Sequence, residues 1–164
     1  MSCELVRSTL ARIGLLLLQH KELPNVVTLI TGEHLSTSWW SHKQSQEIFA
    51  CLESLDDVAL ATRLIGGRVT FVDRKLWPAL VAAGTSMRVP KALSKKEKQE
   101  RLLVVAHEVH TPSGKHELQI EPWKDWAERA GVKPLDSAAK ARAVLEEAAL
   151  ELGAPVRLLP WHRF

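Results

Sequence analysis

Apolar side chains recur every three to four positions in the first part of the chain, which predicts three helices. The first is expected over residues 3–20. The second should have Pro24 in its first turn and end at Gly32, because proline tolerates that turn and glycine suits the residue past the end. Residues 41–44, Ser-His-Lys-Gln, match a capping box that would open the third helix. The apolar face of that helix would consist of Ile48, Phe49, Leu52 and Leu55.

The middle of the chain predicts a β-hairpin. Residues 58–64 alternate between apolar and polar side chains, and residues 68–72 are rich in β-branched and aromatic side chains. Gly66 and Gly67 between them can adopt the positive φ angles of a tight turn. A helix is expected to follow from about Asp73 to Gly84.

The last third of the chain predicts mainly helices. A second capping box at residues 94–97 should open a helix that runs through Leu102 and Val105, with a break at residues 111–114. A short extended piece is expected at residues 116–120. Two further helices should follow, one from Pro122 to Gly131 and one from Ser137 to Gly153.

These elements predict an α+β fold that is mostly helical. The order helix, helix, helix, strand, turn, strand is typical of a winged helix-turn-helix, in which the third helix enters the major groove and the hairpin contacts the backbone. We therefore expect a winged-helix-like core with one β-hairpin at residues 1–90. A helical extension at residues 91–164 would pack on it, and the two parts could form a single compact unit.

Positive charge is concentrated in one segment of the chain. Residues 61–101 carry ten basic and three acidic side chains, whereas the formal net charge of the whole chain is only +3. A basic patch favours a polyanionic partner, so nucleic acid, and DNA in the first place, is the predicted ligand. A solvated face that only confers solubility is the alternative. The predicted contacts are Lys43, Gln44, Arg63, Arg68, Arg74 and Lys75.

Six tryptophans give a second possible function. Two adjacent tryptophans, Trp39 and Trp40, cannot both face one core, so at least one should be partly exposed or fill a separate groove. An exposed indole could stack on a base or anchor a protein partner, including a second copy of the chain. A protein-interaction module is therefore one alternative to nucleic-acid binding.

Histidines and a glutamate suggest a third class of function, an enzyme acting on nucleic acid or a small phosphorylated molecule. The weak catalytic candidates are Glu33, His34, His42, His110 and His116. A loose metal site could use His107, His110 and His116. However, the first two are three residues apart rather than four, so a zinc-protease helix is excluded. No cofactor motif is present, and none is expected.

Cysteine content and hydropathy predict a cytoplasmic protein. Cys3 and Cys51 form no CxxC pair, so we expect a reducing compartment, no disulfide scaffold and a core position for Cys51. The apolar run at residues 13–18 is too short to span a bilayer, so no membrane partner is expected.

Three segments resemble bacterial proteins of no assigned function. They are the run from Ser38 to His42, the strand from Arg68 to Val72 and the run from Leu76 to Leu80. The resemblance implies no role for any individual residue.

Overall fold

The computed structural model describes residues 2–88, 92–110 and 116–164. The predicted class is confirmed, since the protein is a mostly helical α+β fold. The elements before residue 90 are α1 (Ser2–Ile13), β1 (Leu15–Leu17), α2 (Val26–Thr31), α3 (Ser45–Ser54), β2 (Ala59–Ile65), β3 (Arg68–Asp73) and α4 (Trp77–Thr85). Those after it are α5 (Lys95–Glu100), β4 (Val104–His110), β5 (His116–Pro122), α6 (Trp123–Ala130), α7 (Ala138–Leu152) and α8 (Pro160–Arg163). Short 3-10 turns occupy Trp39–Ser41, Arg74–Leu76 and Val156–Leu158.

The first predicted helix is too long. The helix stops at Ile13, because Gly14 adopts a φ of 93° that ends the helical path. The leucines that follow form strand β1, in which Leu15 pairs with Val72 of β3. All three residues of β1 are fully buried, and a short apolar run of this kind fits a buried strand as well as a buried helix.

The predicted hairpin of β2 and β3 is confirmed. The two strands pair antiparallel with Thr62 opposite Thr70, and Gly66 and Gly67 form the turn at φ angles of 61° and 74°. With β1 they make a sheet of order β1-β3-β2, so β3 is the central strand. Strand β2 therefore forms an edge of this sheet, and the Gly66-Gly67 turn lies beyond the paired strands.

The first predicted capping box is wrong. Helix α3 begins at Ser45, and residues 39–41 form a 3-10 turn in which His42 N–H donates to the Trp39 carbonyl at 3.0 Å. The buried residues of α3 are Ile48 and Cys51, whereas Phe49 is 55% exposed rather than part of the apolar face.

A second hairpin replaces part of a predicted helix. Helix α5 ends at Glu100, and Leu102 follows with a φ of 61°, which a helix cannot accommodate. Residues 104–110 then form β4 and pair antiparallel with β5. The expectation of a single β-hairpin is thus wrong, whereas the short extended piece expected at residues 116–120 lies within β5. The predicted break at residues 111–114 lies outside the described residues.

The three-stranded sheet separates two hydrophobic clusters. One contains Leu15, Val72, Leu80 and Leu145, and includes residues of α4, α6 and α7. The other contains Leu16, Phe71 and residues of α1, α2 and α3. The first cluster draws on residues from both sides of position 90, so the two predicted parts share one core.

A disulfide crosslinks the second cluster. Cys51 is buried as expected, but it is bonded to Cys3, with the two Cα atoms 5.5 Å apart. The bond joins the start of α1 to the middle of α3, so the expectation of two unlinked cysteines is wrong. Within the described residues, no helix is long and apolar enough to cross a bilayer.

Candidate nucleic-acid interface

The four predicted cations of the β2–β3 hairpin lie at its two opposite ends. Arg63 and Arg68 lie near the turn: Arg63 Nη1 donates to the Gly67 carbonyl at 3.0 Å, and Arg68 pairs with Ile65 in the sheet register. Arg68 is exposed, and its charge contributes to the lowered pKa of His20, after the larger effect of partial burial. At about 3.3 Å per residue, the length of β3 separates this end from the other by roughly 17 Å.

Arg74 and Lys75 lie at the far end of β3 and have structural contacts there. Lys75 Nζ donates to the Ala11 carbonyl and, at 3.5 Å, to the Arg12 carbonyl, both at the end of α1. A cation at this position stabilises the negative end of the helix dipole. The Arg74 guanidinium lies 5.5 Å from the centre of the Trp77 ring. The four hairpin cations therefore do not form one phosphate-binding edge.

The other two predicted nucleic-acid contacts, Lys43 and Gln44, lie directly before α3. Lys43 is exposed, and Gln44 Nε2 donates to Glu47 Oε2 at 3.0 Å. The exposed residues of α3 include Phe49 and two glutamates, and no basic residue occurs between Ser45 and Ser54. This surface is apolar and acidic, which does not suit an approach to phosphate groups.

Trp40 is largely exposed, as the argument from two adjacent tryptophans predicts, and it forms a groove with Trp39 and Phe49. Trp40 is 68% exposed, while Trp39 is partly buried against the second cluster, and their rings meet edge to face at 6.0 Å. The cavity beside them has a volume of about 620 Å³ and is also lined by Glu53. We call this surface the tryptophan groove; its lining residues are Trp39, Trp40, Ser45, Gln46, Phe49, Ala50 and Glu53.

Two of the catalytic candidates form a pair. His42 Nε2 lies 2.9 Å from Glu33 Oε1, and His42 Nδ1 accepts a hydrogen bond from Gln44 N–H at 3.1 Å. His34 instead faces the Thr28 hydroxyl, 3.4 Å from its Nδ1. The pair fixes the loop ahead of α3, but His34 does not contribute a third acid–base group to it.

The other histidines among the catalytic and metal-ligand candidates belong to the second hairpin, formed by β4 and β5. His107 Nε2 lies 3.0 Å from Glu121 Oε1, and the same carboxylate accepts two hydrogen bonds from Arg129 at 2.7 and 2.5 Å. Hydrogen bonding to Arg129 lowers the pKa of Glu121 to about 2. The backbones of His110 and His116 pair with each other, but their side chains lie outside the described part of the structure. No group of three potential metal ligands occurs among the described residues.

Folding produces a basic surface that the sequence pattern does not reveal. The guanidinium of Arg163 reaches the hairpin turn, where its Nη1 would lie 3.3 Å from a Cβ placed on Gly67. The Phe164 ring lies 4.9 Å from the Arg163 guanidinium and 4.3 Å from that of Arg101. Arg63, Arg163, Phe164 and Arg101 thus follow one another across the surface, and we call them the arginine strip.

The arginine strip leads into a half-enclosed cleft of about 340 Å³. Two further arginines contribute to it: Arg142 from α7, which donates to the Ser86 hydroxyl at 3.2 Å, and Arg88 from the segment after α4. We call it the arginine cleft; its lining residues are Ser86, Met87, Arg88, Arg101, Arg142, Trp161 and Phe164. Aromatic rings and guanidinium groups therefore share one concave surface.

Two carboxylates lie near these arginines. Glu146 Oε1 accepts from Trp161 Nε1 at 2.9 Å and lies 2.7 Å from His162 Nε2, and the Trp161 hydrogen bond is the largest cause of its lowered pKa. Glu100 lies beside the hairpin turn, 3.4 Å from a Cβ placed on Gly67. Within the described residues, neither carboxylate lies within ion-pair distance of an arginine of the strip or the cleft, but the charge of Arg142 contributes to the lowered pKa of Glu146. The region therefore has an excess of positive charge.

The C-terminal segment holds the arginine strip against the hairpin turn. Gly66 N–H donates to the Leu158 carbonyl at 2.9 Å, and the Leu158 side chain would lie 3.7 Å from a Cβ on Gly66. Leu159 is fully buried in the first hydrophobic cluster. The turn and α8 are therefore fixed relative to each other.

No protein-family model matches the chain, and comparisons with curated proteins and with solved structures find no match either.

Proposed function

We propose that the protein binds nucleic acid through the arginine strip and the arginine cleft. The observation that carries this proposal is the series of guanidinium groups of Arg63, Arg163 and Arg101, with the Phe164 ring between the last two. Guanidinium groups bind phosphate oxygens in pairs. Because the Phe164 ring lies between two guanidinium groups, it orients them, and an unstacked base would stack on a guanidinium plane rather than on this ring.

The fold is compatible with a winged helix-turn-helix but not with base reading by α3. Three helices precede the β2–β3 hairpin, as in that architecture, and the hairpin turn supplies Arg63. The exposed surface of α3 carries Glu47, Phe49 and Glu53 instead of cations. We therefore propose contact with backbone and unstacked bases, with single-stranded DNA as the first ligand to test.

Binding to a fluorescently labelled single-stranded DNA oligonucleotide, followed by anisotropy over a salt series, tests this function. Three phosphate contacts on a single strand should make log Kd rise by roughly 2 for each unit of log salt. Arg163→Gln should weaken binding and reduce this slope by about 0.7. Arg74→Gln is the matched control. Because Arg74 lies at the other end of β3, this variant should bind the oligonucleotide as the wild type does.

Three results would reject the proposal. They are the absence of binding at low salt, an affinity independent of salt, and an Arg74→Gln variant as impaired as Arg163→Gln. Tighter binding to duplex than to single-stranded DNA would reject the stacking part alone, because paired bases do not offer their faces to the guanidinium planes of the arginine strip.

The tryptophan groove supports a second candidate function, self-association through α3. Trp40 and Phe49 project beside the tryptophan groove. The same surface therefore supplies both projecting side chains and a recess, as a contact between two copies about a twofold axis requires. Lys43 precedes α3 and Glu53 lies near its end, with Phe49 between them. Two antiparallel copies of α3 that meet at Phe49 would place each Lys43 against the Glu53 of the other copy.

Sedimentation velocity tests the self-association. A dimer is expected that Trp40→Ala weakens and that the control Leu150→Ala, another exposed apolar position, does not. Lys43→Glu should also weaken the dimer, and adding Glu53→Lys should restore it by exchanging the charges. A monomer at every concentration, or a double variant no better than Lys43→Glu, would contradict this arrangement.

A further inference from the structure

We infer that the arginine cleft binds a terminal phosphate of a nucleotide together with its base, so that the protein recognises a phosphorylated strand end. This inference rests on the proposed function and specifies its ligand. The shared chemistry is a phosphomonoester beside a nucleobase, which could come from the end of a strand or from a free mononucleotide.

Three arginines from different parts of the chain line this one cleft. Arg88 follows α4, Arg101 ends α5, and Arg142 lies on α7. An internal phosphodiester carries one negative charge, whereas a terminal monoester carries about two near neutral pH. Three guanidinium groups around one small volume therefore match a terminal phosphate better than a strand that continues through the site.

Two of these guanidinium groups are incompletely compensated by the protein. Among the described residues, the Nε atoms of Arg101 and Arg142 are buried without a hydrogen-bond partner. A buried polar group without a partner costs free energy, and more so when the group is charged. A phosphate in the cleft would not bond to these Nε atoms, because they expose almost no surface, but its negative charge would stabilise both guanidinium groups.

The aromatic side of the cleft fits one base. Trp161 is half-buried and lines the cleft, and its indole N–H is engaged by Glu146, which fixes the ring. The Arg142 guanidinium lies 5.9 Å from the centre of this ring, so a base beside Trp161 would have its phosphate close to an arginine. The volume of about 340 Å³ lies at the small end of ligand pockets, which suits a single nucleotide rather than several. Arg101 and Phe164 belong to both the cleft and the arginine strip, so a bound terminal nucleotide would be followed by nucleotides on the strip.

Competition among matched ligands tests the inference. The same single-stranded oligonucleotide is prepared with a 5′-phosphate, with a 3′-phosphate and with neither. One phosphorylated form should bind at least about tenfold more tightly than the unphosphorylated form, as expected from one additional charge-assisted contact. Adenosine monophosphate should displace it, and adenosine should not. Inorganic phosphate at the same concentration should displace it less well, because it cannot stack.

Variants separate this inference from the proposed function. Arg142→Gln and Arg88→Gln should abolish the preference for the phosphorylated end, whereas Arg163→Gln, on the arginine strip, should weaken the binding of phosphorylated and unphosphorylated oligonucleotides alike. Arg88 is exposed, so its variant should fold even if Arg142→Gln does not. Arg157→Gln, an exposed arginine that does not line the cleft, is the control.

The possible outcomes are distinct. Equal binding of the three oligonucleotides, or an unchanged preference in both variants, would overturn the inference and leave the proposed function standing. Failure of all three oligonucleotides to bind at low salt would overturn the proposed function as well. Binding of adenosine monophosphate itself, measured by calorimetry, without binding of any oligonucleotide would overturn the proposed function and identify a mononucleotide as the source of the phosphate.

Discussion

Cys3 and Cys51 form a disulfide that joins the first turn of α1 to the middle of α3, across 48 positions of sequence. Crosslinking a loop of this size restricts the unfolded chain and stabilises the fold by about 4 kcal/mol in the chain-entropy model. We expect Cys3→Ala to lower the free energy of unfolding by up to about that amount in non-reducing buffer. Urea denaturation with and without a reductant measures it.

The reductant supplies the control. It should destabilise the wild type and leave Cys3→Ala unchanged, because the variant has no bond to break. A wild type whose stability is insensitive to reductant would show that the bond does not form in solution. In a reducing compartment the bond would be absent, so stability should depend on where the protein resides.

Asn25 should be among the residues most sensitive to substitution. Its side chain is fully buried, its Oδ1 accepts from Thr28 N–H at 2.9 Å, and its Nδ2 donates to the carbonyls of His20 and Leu23. Asn25→Ala removes the N-cap of α2 and leaves two carbonyls without a donor, which should cost about 2–3 kcal/mol. Chemical denaturation measures this loss. Ser94→Ala, which removes the exposed N-cap of α5, should cost less; an equal loss would contradict the role of burial.

Gly84 allows Trp123 to pack directly against α4. A Cβ at this position would lie 2.5 Å from Trp123 Cδ1, and the indole N–H donates to the Leu102 carbonyl at 2.9 Å. Gly84→Ala should therefore destabilise the protein by about 1–3 kcal/mol, although alanine is the better helix former by about 1 kcal/mol. Trp123→Phe should be less harmful in the Gly84→Ala background than alone, which a double-mutant cycle measures. A Gly84→Ala variant more stable than the wild type would contradict the steric argument.

The stability of the second hairpin should depend on pH through Glu121. Its pKa falls from an ordinary 4.5 to about 2, mainly because Arg129 donates to it. A depressed pKa contributes stability above pH 4.5, and this contribution is lost as the pH falls toward 2. Arg129 is 60% exposed, so solvent screens the pair, and Glu121→Gln should cost only about 1 kcal/mol at neutral pH.

Thermal unfolding from neutral to acidic pH tests this expectation. The difference between the melting temperatures of wild type and Glu121→Gln should shrink as the pH falls from 4.5 toward 2. A difference that stays constant down to acid pH would indicate a packing effect rather than an ionised carboxylate. Glu128→Gln, an exposed change on α6, should follow the wild type throughout.

Local patterns predicted the elements whose signals lie close together in sequence. The Gly66-Gly67 turn, the Gly131 end of α6 and the Ser137 cap of α7 are all formed as expected, because each depends on a few neighbouring residues. The errors occur where tertiary packing decides between helix and strand. The run at residues 15–17 and the segment after Glu100 both become strands, since a partner strand is available in the fold.

The candidate site was less predictable than the fold. Arg63 and Arg101 belong to the basic segment, but Arg142 and Arg163 come from a region with a slight excess of acidic residues. Charge counted along the sequence therefore placed the site in the hairpin, where Arg74 and Lys75 turn out to have structural contacts. The predicted exposure of Trp39 or Trp40 succeeded, because adjacent side chains on one element must point in different directions.

The hydrogen bond from Gly66 to Leu158 has a consequence for kinetics. Because the hairpin turn and the C-terminal segment are already joined, the backbone segments that carry Arg63 and Arg163 keep their spacing before any ligand arrives. If nucleic acid binds as proposed, the protein side of the interface is preorganised and should lose little conformational entropy on association. Encounter rates should then be governed by diffusion and electrostatic steering, without a slow closing step.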